Sequence, residues 1–179
     1  MRSAWGGVLF IVIVVNLSNN KAWAGTPSAE AQFSAAFLYN FAQFVDWPAS
    51  SFAGANAPLE IGIVSGDPGI ADSLEALVAG KTVGGRSIAV RRFATPGAAR
   101  PCHLVFVDGG SSADVERLVQ GVGKGAVLTV GNAASFLENG GIIRLITEGN
   151  RMKFTVNVKA MEQSGLKISS QLLKMASNR

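Results

Sequence analysis

Residues 59–78, LEIGIVSGDPGIADSLEALV, decide the fold. Leu59–Val64 is a short, nearly continuous apolar run bounded by Pro58 and Gly66, which predicts a strand buried on both faces. Asp67 and Pro68 then open a helix, the acid as cap and the proline at the first helical position, where its missing N–H costs nothing. Leu74, Leu77 and Val78 recur at helical spacing, and Gly80 closes the segment. A buried strand running straight into a helix is the building unit of a layered α/β fold.

The chain to the C-terminal side repeats the alternation. Strands are predicted over Ser87–Phe93, His103–Val107 and Ala126–Val130. Between the last two, Ser111 or Ser112 caps a helix through Val115, Leu118 and Val119, and Ala133–Glu138 reads as a short helix. Gly141–Thr147 and Met152–Val158 flank Glu148-Gly149-Asn150-Arg151, a turn composition that predicts an antiparallel hairpin. Asn157 caps a helix over Val158–Ser164, and a last helix covers Ser169–Ala176. The expected architecture is a single-domain, three-layer α/β fold. Its sheet is largely parallel and flanked by helices, with the C-terminal hairpin at one edge.

To the N-terminal side, Thr26 and Pro27 start a predicted helix reaching Val45, with Phe33, Phe37, Asn40, Phe41 and Phe44 along one stripe. Pro48 ends it, so Trp47 falls in an exit turn, where it either plugs the end of the sheet or faces a partner. Further upstream, Val8–Val15 (VLFIVIVV) follows Arg2 and precedes Ala22-Trp23-Ala24. A basic start, a short apolar run and a small-x-small site form a secretory signal peptide. The run is shorter than the roughly 20 residues needed to span a bilayer. Cleavage after Ala24 leaves residues 25–179, a single domain of 155 residues with no membrane insertion of its own.

That mature chain carries fourteen Lys and Arg against twelve acids. A charge of about +2 without a basic run excludes a nucleic-acid binder. Its one cysteine, Cys102, excludes an internal disulfide, and one Cys beside one His, His103, is too few for a structural zinc site. Adjacent strand residues point to opposite faces, so these two do not form a catalytic pair. No serine has a G-x-S-x-G context, no carboxylate pair stands out for acid–base work, and no cofactor is implied. Two weak anion signals remain. The turn Ser65-Gly66-Asp67-Pro68-Gly69 lacks the G-x-G-x-x-G spacing of a dinucleotide site and places an acid where a phosphate would sit. Arg91-Arg92 sends one guanidinium inward or to the end of the sheet. Asp67, Arg91 and Arg92 are therefore the expected lining of any small-ligand site at the ends of the strands.

Three segments together carry a family resemblance: FLYNFAQFVDWP at residues 37–48, CHLVFV at 102–107, and the tail from Leu128, which contains GGIIRL and GLKISSQLL. In combination they make the chain resemble the YfiR-like family of exported bacterial proteins, over about Phe33 to Ala176. The resemblance implies a periplasmic, often dimeric α/β protein without catalysis. It implies binding to the periplasmic sensor domain of an inner-membrane diguanylate cyclase, which is held inactive, lowering cyclic di-GMP and biofilm formation. Relatives with extra cysteines couple to envelope redox state; the lone Cys102 does not permit an intrachain version here. The alternative is a periplasmic sensor of small anions or nucleotides that acts on another membrane signalling protein. Phe136, Glu148, Phe154 and Gln171, with Trp47, are the expected partner surface: aromatic anchors with polar neighbours carry interface energy. Burial of both phenylalanines in the core is the competing expectation.

Overall fold

A computed structural model describes residues 26–99, 102–123, 125–149 and 151–177. The expected signal peptide, residues 1–24, lies outside the described residues. The helices are α1 (Ala29–Gln43), α2 (Pro68–Val78), α3 (Ser112–Val122), α4 (Val158–Ser164) and α5 (Ser170–Met175). The strands are β1 (Val45–Asp46), β2 (Leu59–Val64), β3 (Thr82–Val83), β4 (Arg86–Phe93), β5 (Leu104–Val107), β6 (Leu128–Gly131), β7 (Ile143–Glu148), β8 (Arg151–Val156) and β9 (Lys167–Ile168). Seven strands form one sheet in the order β3-β4-β2-β5-β6-β7-β8. The five inner strands pair in parallel, and an antiparallel hairpin closes each edge.

Period-two alternation divides the core between the two faces of this sheet. Leu59, Ile61 and Ile63 of β2, Leu104 and Phe106 of β5, and Leu145 and Phe154 of the C-terminal hairpin join α1, α2 and α5 in the larger cluster. On the opposite face Val64, Cys102, Val105 and Val107 pack against Val115 and Leu118 of α3 and against Phe136. The layered α/β architecture expected from the alternation is the one observed.

Several elements differ from expectation in instructive ways. The Ser28 hydroxyl accepts the Ala31 N–H at 3.0 Å, so Ser28, not Thr26, caps α1. The far end of α1 stops at Gln43, because Val45–Asp46 is drawn into a two-stranded antiparallel ladder with β9. The strand β3 was not expected; Gly84 and Gly85, at φ +58° and +78°, make the two-residue turn that folds it onto β4. The predicted helix over Ala133–Glu138 is instead a series of turns. Its backbone bonds span three, four, three and five residues in succession, ending in Gly141 N–H to Phe136 C=O at 2.9 Å, so no helical register repeats. In the C-terminal hairpin Phe154 lies opposite Leu145, in the same register that sets Glu148 opposite Arg151.

Candidate partner-binding edge

α1, β8 and α5 meet at the C-terminal edge of the sheet around three aromatic rings. Phe41 and Phe154 are 5.1 Å apart between centroids, Phe37 and Phe41 5.8 Å, and Phe37 and Phe154 6.0 Å, all tilted or edge-on. Above them runs a groove of about 300 Å³ walled by Phe37, Phe44, Met152, Leu172 and Met175, with Phe154 as its floor. Met175 is 52 % exposed at the rim. Phe33, one turn before Phe37 on α1, is 49 % exposed and continues the apolar stripe. The segment after α5 is tied down beside the groove, since Ser177 N–H donates to Phe154 C=O at 2.8 Å.

The residues expected at a partner surface separate. Phe154 and Gln171 lie on β8 and α5 of this edge, and Glu148 ends β7, the strand paired with β8. Glu148 is exposed, with Oε2 at 2.6 Å from Lys153 Nζ, and Gln171 is exposed on α5 beside the buried Leu172. The ring of Phe154, however, is only 4 % exposed and belongs to the core. The same holds for Phe136, which is fully buried on the other face of the sheet. It fills the space left by two glycines: a Cβ at Gly131 or Gly141 would lie 2.3 or 2.2 Å from its ring atoms. Both phenylalanines are therefore core rings rather than exposed anchors. The exposed apolar side chains of the edge are Phe33 and Met175, which sequence reasoning did not single out; Met175 falls on the same helix as Gln171, one turn on.

Trp47 lies elsewhere, among the starts of the parallel strands. Its indole Nε1–H donates to Ala42 C=O at 3.0 Å, and its ring stands edge-on to His103 at 5.9 Å. Phe52 stacks on the other side of the imidazole at 4.3 Å, and the Arg86 guanidinium sits 3.8 Å over the Phe52 ring. The two motifs around Trp47 and His103 thus converge in a plug at the bottom of the sheet. His103 Nδ1 accepts the Glu60 N–H at 3.0 Å, so the neutral ring carries its proton on Nε2, which is buried and finds no partner of hydrogen-bonding geometry. Burial pushes the imidazole below its ordinary 6.5; Arg86 acts the same way, and the Glu60 carboxylate and Ser51 carbonyl act against it.

A proton added at Nδ1 would face the Glu60 N–H, donor against donor. With the folded value depressed, the unfolded chain binds the proton more readily, so this group's contribution is complete above about pH 6.5 and is lost as pH falls through the folded value. The thermal midpoint is expected to fall between about pH 7.5 and 5. In His103→Asn, whose amide oxygen can replace Nδ1 as acceptor, the fall is expected to be smaller. An identical pH profile would remove His103 from the account.

Cys102 packs on the other face, with Sγ 3.0 Å from where a Cβ on Gly62 would lie. Burial pushes its thiol up to about 11. The native thiol is expected to resist alkylation at pH 8, and the thermal midpoint to be the same with and without reductant. Rapid native labelling would show that this region opens.

The expected small-ligand residues are not brought together. Asp67 Oδ1 caps α2 by accepting the Gly69 N–H at 2.8 Å. Strand alternation sends Arg91 to Glu60 on one face, while Arg92 reaches Asp72 at 2.7 Å and Glu75 at 2.9 Å on α2. Those two carboxylates raise the already high Arg92 value further. At the upper ends of β2, β5 and β6, the Ser65 hydroxyl donates to Asp108 Oδ2 at 2.6 Å and Asn132 Nδ2 donates to Asp108 Oδ1 at 2.8 Å. Asn132 Oδ1 accepts the Gly109 N–H. This is the crevice where open α/β sheets hold ligands, and here its polar groups bond to one another. No group of three or more His, Cys, Asp or Glu is placed to hold a metal ion among the described residues. No helix among them is long and apolar enough to cross a membrane.

The family model described as YfiR/HmsC-like matches residues 31–177. No curated protein matches the chain. Among solved structures it is similar to a conserved domain protein from Vibrio cholerae O1 biovar eltor, at 15 % identity and a TM-score of 0.48. That match covers 66 % of this chain, which spans 54 % of the Vibrio protein's length.

Proposed function

Because the chain belongs to the YfiR/HmsC-like family, we propose that it is a periplasmic regulator of cyclic di-GMP signalling. In this reading residues 1–24 direct export and are removed. The mature protein then binds the periplasmic sensor domain of an inner-membrane diguanylate cyclase and holds the enzyme inactive, acting by binding rather than catalysis. A homodimer belongs to the same reading.

One observation supports the C-terminal edge as the contact: the groove between α1, β8 and α5 leaves Met175 half exposed at its rim, on the same helix as the exposed Gln171, and Phe33 is half exposed one turn before the groove residue Phe37. An aromatic and a methionine at an apolar cleft with polar neighbours is the composition that carries interface energy. The alternative, a sensor of small anions or nucleotides, gains no support from Asp67, Arg91 and Arg92, whose charges are taken up within the chain.

Deleting the gene is expected to raise cellular cyclic di-GMP and biofilm. The full chain should reverse both, whereas a chain starting at residue 25 should not, because it stays in the cytoplasm. Intact mass of the exported protein should correspond to a start at Gly25. Equal rescue by the leaderless chain would overturn the periplasmic site of action.

A further inference from the structure

The outer face of the C-terminal hairpin is a second, chemically different surface. Cross-strand pairing brings Arg144 opposite Thr155, Ile146 opposite Lys153 and Glu148 opposite Arg151, and alternation puts these six on the strand face away from the Phe154 ring, although Lys153, on the edge strand, also reaches the groove wall. Glu148, Arg151 and Lys153 are exposed, Arg144, Ile146 and Thr155 are partly buried, and Ile146 packs into neither core cluster. Glu148 is neutralised by Lys153, while Arg144 and Arg151 have no carboxylate partner among the described residues. Arg144 is half-buried, with its Nε buried and unbonded.

The same asymmetry is written along the chain. Residues 141–179 hold seven Lys and Arg against two acids, whereas residues 1–140 hold nine against ten. The whole net charge of +4 therefore originates in the C-terminal segment.

We propose that this face is a docking surface for an acidic segment of the protein partner. The idea rests on the partner reading above and adds a charged contact to the apolar one. A recessed guanidinium presents a planar fork suited to a carboxylate. The two open guanidiniums flank Ile146, a spacing that suits acids alternating with an apolar side chain. An anionic membrane is the other possible source of negative charge. It is disfavoured because no aromatic side chain projects from this face to enter a lipid interface.

The test is sedimentation of the mature protein with spheroplast-derived membranes, periplasmic face outward. Liposomes made from the lipids of those membranes form the second arm. Wild type is expected to bind the membranes, less tightly as salt rises from about 50 to about 300 mM, and not the liposomes. Arg151→Glu should weaken binding about fivefold or more, and the uncharged Arg144→Gln about threefold or more, each with an unchanged thermal midpoint. Lys167→Glu, the same charge change elsewhere, should stay within about twofold. Wild-type binding that survives both hairpin variants would overturn this face and leave the groove reading intact. Equal binding to liposomes would replace the protein partner with lipid headgroups. Absence of wild-type binding would overturn both the face and the partner reading.

Discussion

Phe136→Ala is expected to destabilise the protein by about 3–5 kcal/mol, the cost of emptying a fully buried aromatic site. For a domain of this size that corresponds to a fall in thermal midpoint of roughly 10 °C. The cavity cannot collapse easily, because the ring is seated on backbone. Gly131 and Gly141 leave no side chain beneath it, and the Gly141 N–H bonds to the Phe136 carbonyl. The complementary substitution carries its own signature. Gly131→Ala would place a methyl group 2.3 Å from the ring, so the ring or β6 must move. In the Phe136→Ala background that methyl group has room. The double variant is therefore expected to be clearly more stable than the sum of the single effects. Additivity within about 0.5 kcal/mol would mean that the ring does not sit on Gly131.

The second large effect falls on binding and spares the fold. Met175→Asp places a charge on the exposed wall of the groove, where the native side chain is half solvated. Its thermal midpoint should stay within about 2 °C of wild type, as for most surface changes. Affinity for the cyclase sensor domain should drop by about 2 kcal/mol or more, roughly thirtyfold, as for a central interface residue. Phe154→Ala provides the contrast. Its ring is the floor of the groove and part of the three-ring cluster, so stability and binding should fall together. A Met175→Asp variant that binds as wild type would exclude the groove.

Much of the fold is legible because local and global signals agree. Leu59–Val64 has the strand bounds read from its composition, and Asn157 and Ser111 cap the helices that follow them. The errors come where tertiary contacts override local pattern. Val45 and Asp46 continue a helical stripe, yet they pair with Ile168 and Lys167, more than a hundred residues away, which no local periodicity encodes. The β3 turn was readable: Gly84-Gly85 between Val83 and Arg86 is a two-residue hairpin signal. The candidate edge was legible only in part. Glu148 and Gln171 are at the surface, but the pattern around Phe136 and Phe154 did not reveal which side of the core each ring enters. For Phe136 the clue was the pair Gly131 and Gly141, small residues on either side of one large ring, which becomes a signal only when the strands are adjacent.

The most direct measurement is the cyclase rate of membranes carrying the full-length enzyme, with the mature protein added on the periplasmic side. The rate is expected to fall with wild-type concentration to a low plateau and to stay near its starting value with Met175→Asp. A rate unchanged by saturating wild-type protein would contradict the account.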